Sequence, residues 1–333
     1  MGRATLKKVV RTALFFLAVG LLVWLLDRIG WDEIGDSFER VGWTGAVLLL
    51  LLGFVETFLD SAAFNAALFG RVGALRSMAY SGAGAIVNII IPWEAGEAVK
   101  GTLLTRHVST SEAIQGTVLW NYLFKLSRPA VAVVASLFAV VVGHGVDPLM
   151  AWLVVGASVV ALAPYFVFKV LLHFGALEMG VRFLKKIRVL RQDTQGIAKA
   201  AHELDDRMRS FKKDSPKAYY AILLYQSLAR IVAMVSWGVA MRLVGLDYGV
   251  GLIALLYAAL SVSGYLIMLF PVRIGVTEGT GYLIFALLGL DGGTGLIIAV
   301  IMRLKGLLAN GIPGVFAALG GPPRKARQNR DNP

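Results

Sequence analysis

The chain has 333 residues, 57% of them hydrophobic, no cysteine and a formal net charge of +12, and its mean hydropathy is +0.70. A soluble domain is about half apolar or less, and here the excess is gathered into runs of about 20 residues, the length that crosses a bilayer core. The composition indicates an all-α, polytopic membrane bundle and excludes disulfides and thiolate metal sites. Most cations fall in loops, as positive-inside topology requires, so the charge does not indicate nucleic-acid binding.

Six segments are long and apolar enough for full membrane spans. They cover residues 10–26, 43–68, 114–142, 149–173, 217–242 and 295–319. The first follows four cations and ends without a small-x-small cleavage site, so we expect a retained helix and not a signal peptide. Two further apolar segments, 75–91 and 250–270, are each followed by a shorter helix-like stretch, 94–106 and 276–289.

The distribution of Lys and Arg predicts the orientation of these segments. The N-terminus, the loop after the second span, the region 182–217 and the tail are basic and are expected in the cytoplasm. The first loop is acid-rich, and the loops at 144–148 and 246–250 lack Lys and Arg, so they are expected outside. These assignments agree only if 75–106 enters from the cytoplasm and returns to it, while 250–289 enters from outside and returns there.

Two re-entrant or broken hairpins of opposite orientation are typical of an inverted repeat with a site at the midplane. The alternative is that one short segment spans fully and one loop is misassigned. We predict a single membrane domain over 1–320, with a first repeat at about 43–142 and a second at about 217–319. A disordered basic tail, 321–333, follows. Both termini are expected on the cytoplasmic side of the cell (inner) membrane.

The cytoplasmic connector, about 182–214, contains the pattern of an amphipathic helix. Its apolar positions are Ile197, Ala201, Leu204, Met208 and Phe211. The basic face would suit the surface of an anionic membrane. The alternative is a solvated connector that packs on the ends of the bundle.

Two short runs about 180 residues apart, 92–97 and 271–278, look like distorted copies of each other. Each follows an apolar segment and contains Pro, then Gly four residues later, then a nearby Glu. Proline removes a backbone donor, glycine permits close approach, and the N-terminus of a broken helix attracts anions. The two runs and their neighbours supply the candidate site residues Pro92, Glu94, Gly96, Glu97, Lys100, Arg273, Gly275 and Glu278.

Each run has a simpler explanation. The first could be a surface helix at the membrane interface with exposed Glu residues. In the second, Gly275-xxx-Gly279 could be a helix-packing face of the small-xxx-small kind.

Six ionisable residues lie inside apolar segments, where an isolated ion costs at least about 2.5–3.5 kcal/mol. They are Glu56, Asp60, Lys125, Arg128, Arg303 and Lys305. We expect them to face the interior and to pair or to hold an anionic ligand. The two acids could pair with Lys125 and Arg128, and Arg303 could pair with Glu97 or Glu278. Snorkelling near a helix end is the alternative for a single cation, and Arg230 and Arg242 are set aside on that ground.

An enzymatic function has little support in the sequence. The four histidines make no metal-binding spacing, and there is no Walker loop, dinucleotide loop or zinc-protease motif. The segment 261–264 approaches an intramembrane serine-protease pattern, but no histidine follows His202. We therefore expect no catalytic residue, no metal and no cofactor.

At the two runs the chain resembles the flippase-like family that includes the transmembrane region of lysylphosphatidylglycerol synthases and stand-alone relatives. The resemblance covers about 10–320. It rests on Asn88–Pro92, Gly96-Glu97-x-x-Lys100, Leu104-x-Arg106, Ser109–Ala113, Phe270-Pro271, Gly275-Val276-x-Glu278, Leu288–Leu290 and Met302-Arg303.

The resemblance implies movement of a lipid between leaflets. Synthase members move aminoacylated phosphatidylglycerol, and stand-alone members are linked to hopanoid or isoprenoid-linked lipids. The chain departs from the family in lacking an aminoacyl-transferase domain after the last span, so synthesis of a lysyl-lipid is not carried over. Lys100 stands where Arg is frequent, and 121–125 replaces a Glu- and Arg-rich stretch.

These observations lead to a lipid flippase as the first hypothesis, with membrane lipids as its partners. The candidate protein partners are a second copy of this chain and a lipid-synthesising enzyme. Its substrate is an anionic or aminoacylated phospholipid or an isoprenoid-linked lipid. A membrane enzyme acting on a lipid phosphate and a non-transporting accessory subunit of a lipid or glycolipid pathway are the alternatives. The predicted head-group site is completed by Arg106 and Lys305, and its phosphate ligands are Lys100, Lys125, Arg128, Arg273 and Arg303.

Overall fold

The computed structural model describes most of the chain between residues 31 and 319. The described backbone comprises residues 27, 31–90, 95–143, 147–175, 178–179, 181–182, 195–267 and 275–319. The predicted first span at 10–26 and the predicted tail at 321–333 lie outside the described residues.

Eleven helices, numbered here in chain order, form the described part of the chain. They are α1 (Trp31–Ala67), α2 (Ala74–Ile90), α3 (Ala95–Leu104), α4 (Thr110–Val142), α5 (Pro148–Val160), α6 (Ala163–His173), α7 (Gln195–Asp214), α8 (Pro216–Leu243), α9 (Val250–Ile267), α10 (Val276–Leu287) and α11 (Gly292–Leu319).

Five segments in the described part of the chain are long and apolar enough to cross a membrane. They are Gly35–Ala67, Thr110–Val142, Pro148–Leu172, Pro216–Leu243 and Gly292–Ala317. Each overlaps one predicted span, and the described part of the chain contains no strand. The prediction of an all-α membrane bundle is confirmed.

Local sequence signals mark the starts of α4 and α5. Ser109 and Glu112 form a capping box at α4, with the Ser109 backbone donating to Glu112 Oε2 at 2.9 Å and the Glu112 backbone donating to Ser109 Oγ at 3.3 Å. Asp147 caps α5 by accepting from the backbone of Leu149 at 2.8 Å, and Pro148 occupies the first turn. These caps satisfy donors that helix starts would otherwise leave unpaired.

The long helices carry breaks at glycine and proline. Gly42 interrupts α1 with a φ of 56°, in the left-handed region that glycine adopts without strain. Pro129 lies inside α4 and removes the donor that would reach the carbonyl of Lys125. The hydroxyl of Tyr265 in α9 lies 3.5 Å from that carbonyl oxygen, so a neighbouring helix supplies a donor.

The bundle is organised around the pair α1 and α8, which pack along each other. Helix α2 packs on α11, and α9 packs on α4. The short helix α3 contacts α2 and α4, and the short helix α10 contacts α9 and α11. One buried apolar cluster joins α1 to α8–α11, and another joins α4 and α5 to α8 and α9. The first of these clusters includes Ile284 and Phe285 of α10, and a third cluster includes Leu104 of α3, so both short helices pack into the bundle.

Glycines allow the short helices to approach their partners closely. A Cβ added to Gly96 in α3 would collide with the carbonyl oxygen of Gly84 in α2. A Cβ added to Gly281 in α10 would lie 2.8 Å from the Cβ of Ala299 and 2.9 Å from the carbonyl oxygen of Gly295, both in α11. Close helix packing through a glycine is therefore present at Gly281, whereas the packing face suggested at Gly275-xxx-Gly279 stays a prediction.

The connector helix α7 covers its apolar face with the bundle. Leu204 and Met208 are buried against Leu172, and Phe211 is buried beside Ile222. These three residues of α7 pack on the bundle ends, which confirms the second explanation of the connector at these positions. The side chain of Ile197 lies outside the described residues.

Candidate functional site

Ion pairs join the apolar helices in the interior of the bundle. Within the described residues they link Glu278 with Arg303, Glu56 with Lys305 (2.8 Å between Oε2 and Nζ), Asp60 with Arg230, and Glu97 with Lys100 (2.6 Å between Oε2 and Nζ).

The pair between α10 and α11 holds the most deeply buried carboxylate of the site. Glu278 lies in the first turn of α10, has 1% of its surface exposed and contacts the guanidinium of Arg303. Its Oε2 also accepts a hydrogen bond from the backbone of Gly275 at 2.8 Å. The carboxylate thus lies at the start of the short helix and neutralises a cation of α11. Of the two partners considered for Arg303, Glu97 and Glu278, the structure shows Glu278.

The two acids of α1 pair with cations on α8 and α11. Asp60 contacts Arg230, and Glu56 contacts Lys305 and lies 4.0 Å from Arg230. The predicted pairing of these acids with Lys125 and Arg128 is therefore wrong. Its cause is the packing of the helices, because α1 lies along α8 and against α11 and has a smaller contact with α4.

Arg230 is a site residue that the sequence interpretation missed. It is 8% exposed, although snorkelling near a helix end was expected. It lies near the middle of the 28-residue α8, roughly 20 Å from either end at the rise of an α-helix, which is too far to snorkel. That central position in an apolar segment was the signal for a buried, paired cation.

The two cations of α4 differ in where they point. Lys125 is exposed, so the expectation that it faces the interior is wrong. Arg128 faces a cavity, with its guanidinium carbon 6.0 Å from the centre of the Tyr265 ring. A Cβ on Gly264 would lie 2.5 Å from Arg128 Nη2, so the glycine makes room for the guanidinium. No ion pair among the described residues includes Arg128.

Lys100 of α3 lies close to two aromatic rings. Lys100 is 2% exposed, and its Nζ lies 4.4 Å from the ring centre of Phe64 and 4.2 Å from that of Trp120. Glu97 accepts from Nδ2 of Asn121 at 3.4 Å as well as pairing with Lys100. Glu97 and Lys100 are three residues apart on α3, a spacing at which helical side chains are neighbours.

Asn88 fixes the start of α3 against α2. Its Oδ1 accepts a hydrogen bond from the backbone of Gly96 at 2.6 Å. Gly96 has one of the first backbone N–H groups of α3, which lack a partner within the helix. Asn88 therefore acts as a cap from eight residues upstream, a role that the sequence interpretation did not assign.

Three predicted site residues, Pro92, Glu94 and Arg273, lie outside the described residues. Arg106 lies in the turn after α3 and does not line either of the cavities described below.

A large cavity of about 490 Å³ lies among α1, α4 and the helices of the second half. Its polar lining is dominated by four cations, and Glu56 is the carboxylate that lines it with them. Thr277 and Thr280, from the first turns of α10, face the same space. The cations are Arg128, Arg230, Arg303 and Lys305.

A small cavity of about 200 Å³ adjoins the large one. It is lined by the three carboxylates Glu56, Asp60 and Glu97 and by two cations, Lys100 and Lys305. Glu56 and Lys305 line both cavities, so their ion pair lies where the two meet. The structure thus brings together Glu97 and Lys100 from the first run with the charged residues of α1 and α11.

The fold and these cavities define a polytopic helical membrane protein with an ionised interior. Residues 9–314 match the family described as the lysylphosphatidylglycerol synthase TM region, and the chain belongs to this family. Its function is therefore related to membrane lipids. Searches of curated proteins and of solved structures gave no significant match.

Proposed function

We propose that the protein is a lipid transporter of the flippase type and not an enzyme, acting in the cell membrane with both termini in the cytoplasm. The substrate class is an anionic or aminoacylated phospholipid or an isoprenoid-linked lipid. One observation carries the proposal: the large cavity is lined by four cations, and three carboxylates pair with them among the described residues, which leaves Arg128 without an acidic partner.

The electrostatics of the large cavity favour a phosphate group. One surplus cation matches the single negative charge of a phosphodiester, and a guanidinium binds phosphate with two parallel hydrogen bonds. The first turn of α10 adds the positive end of a helix dipole, because Thr277 and Thr280 face the cavity. The volume of about 490 Å³ is that of a small-molecule site. A head group would cross here while its acyl chains stay in lipid.

The packing of the helices supports an inverted repeat. If α1–α4 correspond to α8–α11, the contact of α2 with α11 corresponds to that of α9 with α4. The contact of α2 with α3 then corresponds to that of α9 with α10. We infer that α2–α3 and α9–α10 are hairpins that enter the membrane from opposite sides and meet at the two cavities.

Leaflet exchange in liposomes tests the proposal. Purified protein is reconstituted with a fluorescent phosphatidylglycerol, and the fraction of label accessible to an impermeant quencher is followed with time. Arg128→Gln removes the unpaired guanidinium and should slow exchange roughly tenfold or more, as loss of one charge-assisted hydrogen bond implies. Arg303→Ala and Glu97→Gln should also slow it. Arg242→Gln, an exposed cation at the end of α8, is the matched control.

Two results would contradict the proposal. One is no exchange above protein-free liposomes with several anionic lipids, including an aminoacylated one. The other is equal exchange by the wild type and by the Arg128, Arg303 and Glu97 variants. Release of phosphate, or a changed lipid mass, would instead favour an enzyme.

An accessory subunit is the second candidate, and the ion pairs favour it. Such a protein needs no substrate site, and most interior charges here are paired with one another. It would bind its partner enzyme and show no leaflet exchange, whereas a transporter exchanges lipid alone. The position of Arg128 at an open cavity favours the transporter.

A further inference from the structure

The small cavity has more carboxylates in its lining than the large one. Its ionised lining is three carboxylates, Glu56, Asp60 and Glu97, against two cations, Lys100 and Lys305. Among the described residues Glu56 pairs with Lys305, Glu97 pairs with Lys100, and Asp60 pairs with Arg230, which lines the large cavity. A cation bound at Asp60 would therefore share this carboxylate with Arg230.

Two oxygen atoms at this cavity are buried without a hydrogen-bond partner. Ser61 is 1% exposed and its Oγ has no partner. Asp60 contacts Arg230 through Oδ2, and its Oδ1 has none. Both residues line the small cavity. Native proteins rarely leave buried polar atoms unpaired, and because these two oxygens line a cavity, a ligand there can supply the missing partner.

Further oxygen atoms that could bind a cation lie at the same cavity. Thr57 lies one turn before Asp60 and Ser61 on α1 and also lines the cavity. Asn88, in the last turn of α2, lines it as well. The C-terminal turn of a helix carries unpaired carbonyl groups and the negative end of the helix dipole, which attract cations.

We propose that the small cavity binds an alkali cation, sodium, with Asp60 Oδ1 and the hydroxyls of Ser61 and Thr57 as its side-chain ligands. Hard cations prefer oxygen ligands, which these residues supply. A divalent ion is less suited, because no group of three or more His, Asp or Glu in the described residues could hold a metal ion. The volume of about 200 Å³ leaves room for the ion with one or more waters.

The position of the site couples it to the large cavity, a step that rests on the proposed function. A cation at Asp60 competes with Arg230 for the carboxylate, and Arg230 lines the large cavity. Arg230 then becomes more available to a phosphate. Coupling of this kind is reciprocal, so sodium should raise the affinity for the anionic head group, and the head group should raise the affinity for sodium.

Thermal unfolding of the purified, full-length protein tests the site without any lipid movement. Unfolding temperatures are measured in the chlorides of sodium, lithium, potassium, methylammonium and choline at constant ionic strength. We expect a saturable rise with sodium over choline, about 5 °C at 100 times the dissociation constant for a chain of this size. Ser61→Ala should abolish the rise.

The Ser61→Ala variant is expected to fold, because it removes a hydroxyl that has no protein partner. Thr57→Val serves as a second ligand variant. Ser158→Ala is the matched control: Ser158 in α5 is also fully buried with an unpaired hydroxyl, but it does not line either cavity. It should keep the full sodium response.

Three outcomes would overturn the sodium site: equal unfolding temperatures in sodium and choline, a sodium response that survives in both Ser61→Ala and Thr57→Val, or a response to methylammonium that equals or exceeds that to sodium. A water-filled cavity would give the first of these. Leaflet exchange that persists after such a result would leave the transporter proposal standing. Sodium binding with sodium-independent exchange would overturn the coupling step.

Discussion

The buried pair of Glu278 and Arg303 should show a strong energetic coupling. Replacing Arg303 with Met leaves a carboxylate with 1% of its surface exposed and without its counter-ion. Removal of one partner from a buried pair costs about 3–5 kcal/mol. Even the lower figure shifts the unfolding equilibrium more than 100-fold. The backbone of Gly275 still donates to Glu278, which favours the lower end of that range.

The double-mutant cycle separates the pair from its surroundings. Glu278→Gln should cost less than Arg303→Met, because the Arg303 side chain is 21% exposed and keeps some contact with solvent. The double variant should recover most of the loss, with a coupling energy of about 2–3 kcal/mol. Unfolding in mixed micelles, followed by tryptophan fluorescence, gives the four free energies.

An exposed pair in the same chain provides the control. Arg242 Nε lies 3.6 Å from Asp247 Oδ1, and their side chains are 67% and 91% exposed. The same cycle on Arg242→Met and Asp247→Asn should give a coupling of about 0–1 kcal/mol. Strict additivity at Glu278 and Arg303, or an equal coupling at both pairs, would refute the assignment of a buried ion pair.

Three further predictions concern helix starts and close packing. Gly96→Ala should destabilise the protein by about 1–3 kcal/mol, because the new Cβ would meet the Gly84 carbonyl and the backbones of α2 and α3 would have to separate. Unfolding in micelles measures this loss, and an unchanged midpoint would contradict the close approach of α2 and α3. Asn88→Ala should cost about 1 kcal/mol through loss of the cap on Gly96, while Asn88→Asp should retain most of it. Asp291→Ala should also cost about 1 kcal/mol, because hydrogen bonds from the backbone and hydroxyl of Thr294 hold the pKa of Asp291 below its usual value. That contribution is complete above an unfolded pKa of about 4 and disappears as the pH falls through the folded pKa, so unfolding curves of wild type and variant should converge in acid.

The positions of the helices follow from local sequence patterns. Apolar runs of about 20 residues indicate the membrane spans. The Ser109–Glu112 capping box and the pair Asp147-Pro148 match known capping patterns, so they mark the starts of two helices. The short helix α10 was likewise expected from the Gly-rich run at 276–289. These features depend on neighbouring residues only, so the sequence alone specifies them.

The partners of the interior charges depend on which helices touch, which a single sequence does not contain. Asp60 pairs with Arg230, 170 residues away, because α1 packs along α8. Lys125 and Arg128 lie about 60° apart around α4, at 100° per residue. Only the packing of α9 decides that Arg128 faces the cavity while Lys125 does not. The burial of an ionised side chain could be predicted from its cost in an apolar segment, but the identity of its ion-pair partner could not.

The boundary between the two cavities includes the side chains of Glu56 and Lys305. Side chains change rotamer in picoseconds to nanoseconds when unhindered, whereas helices shift over microseconds to milliseconds. Passage of a small group between the compartments would therefore be limited by breaking one ion pair and would not require the bundle to rearrange. In kinetic terms, the proposed transport would include rupture of this ion pair as a side-chain step, separate from any slower movement of the helices.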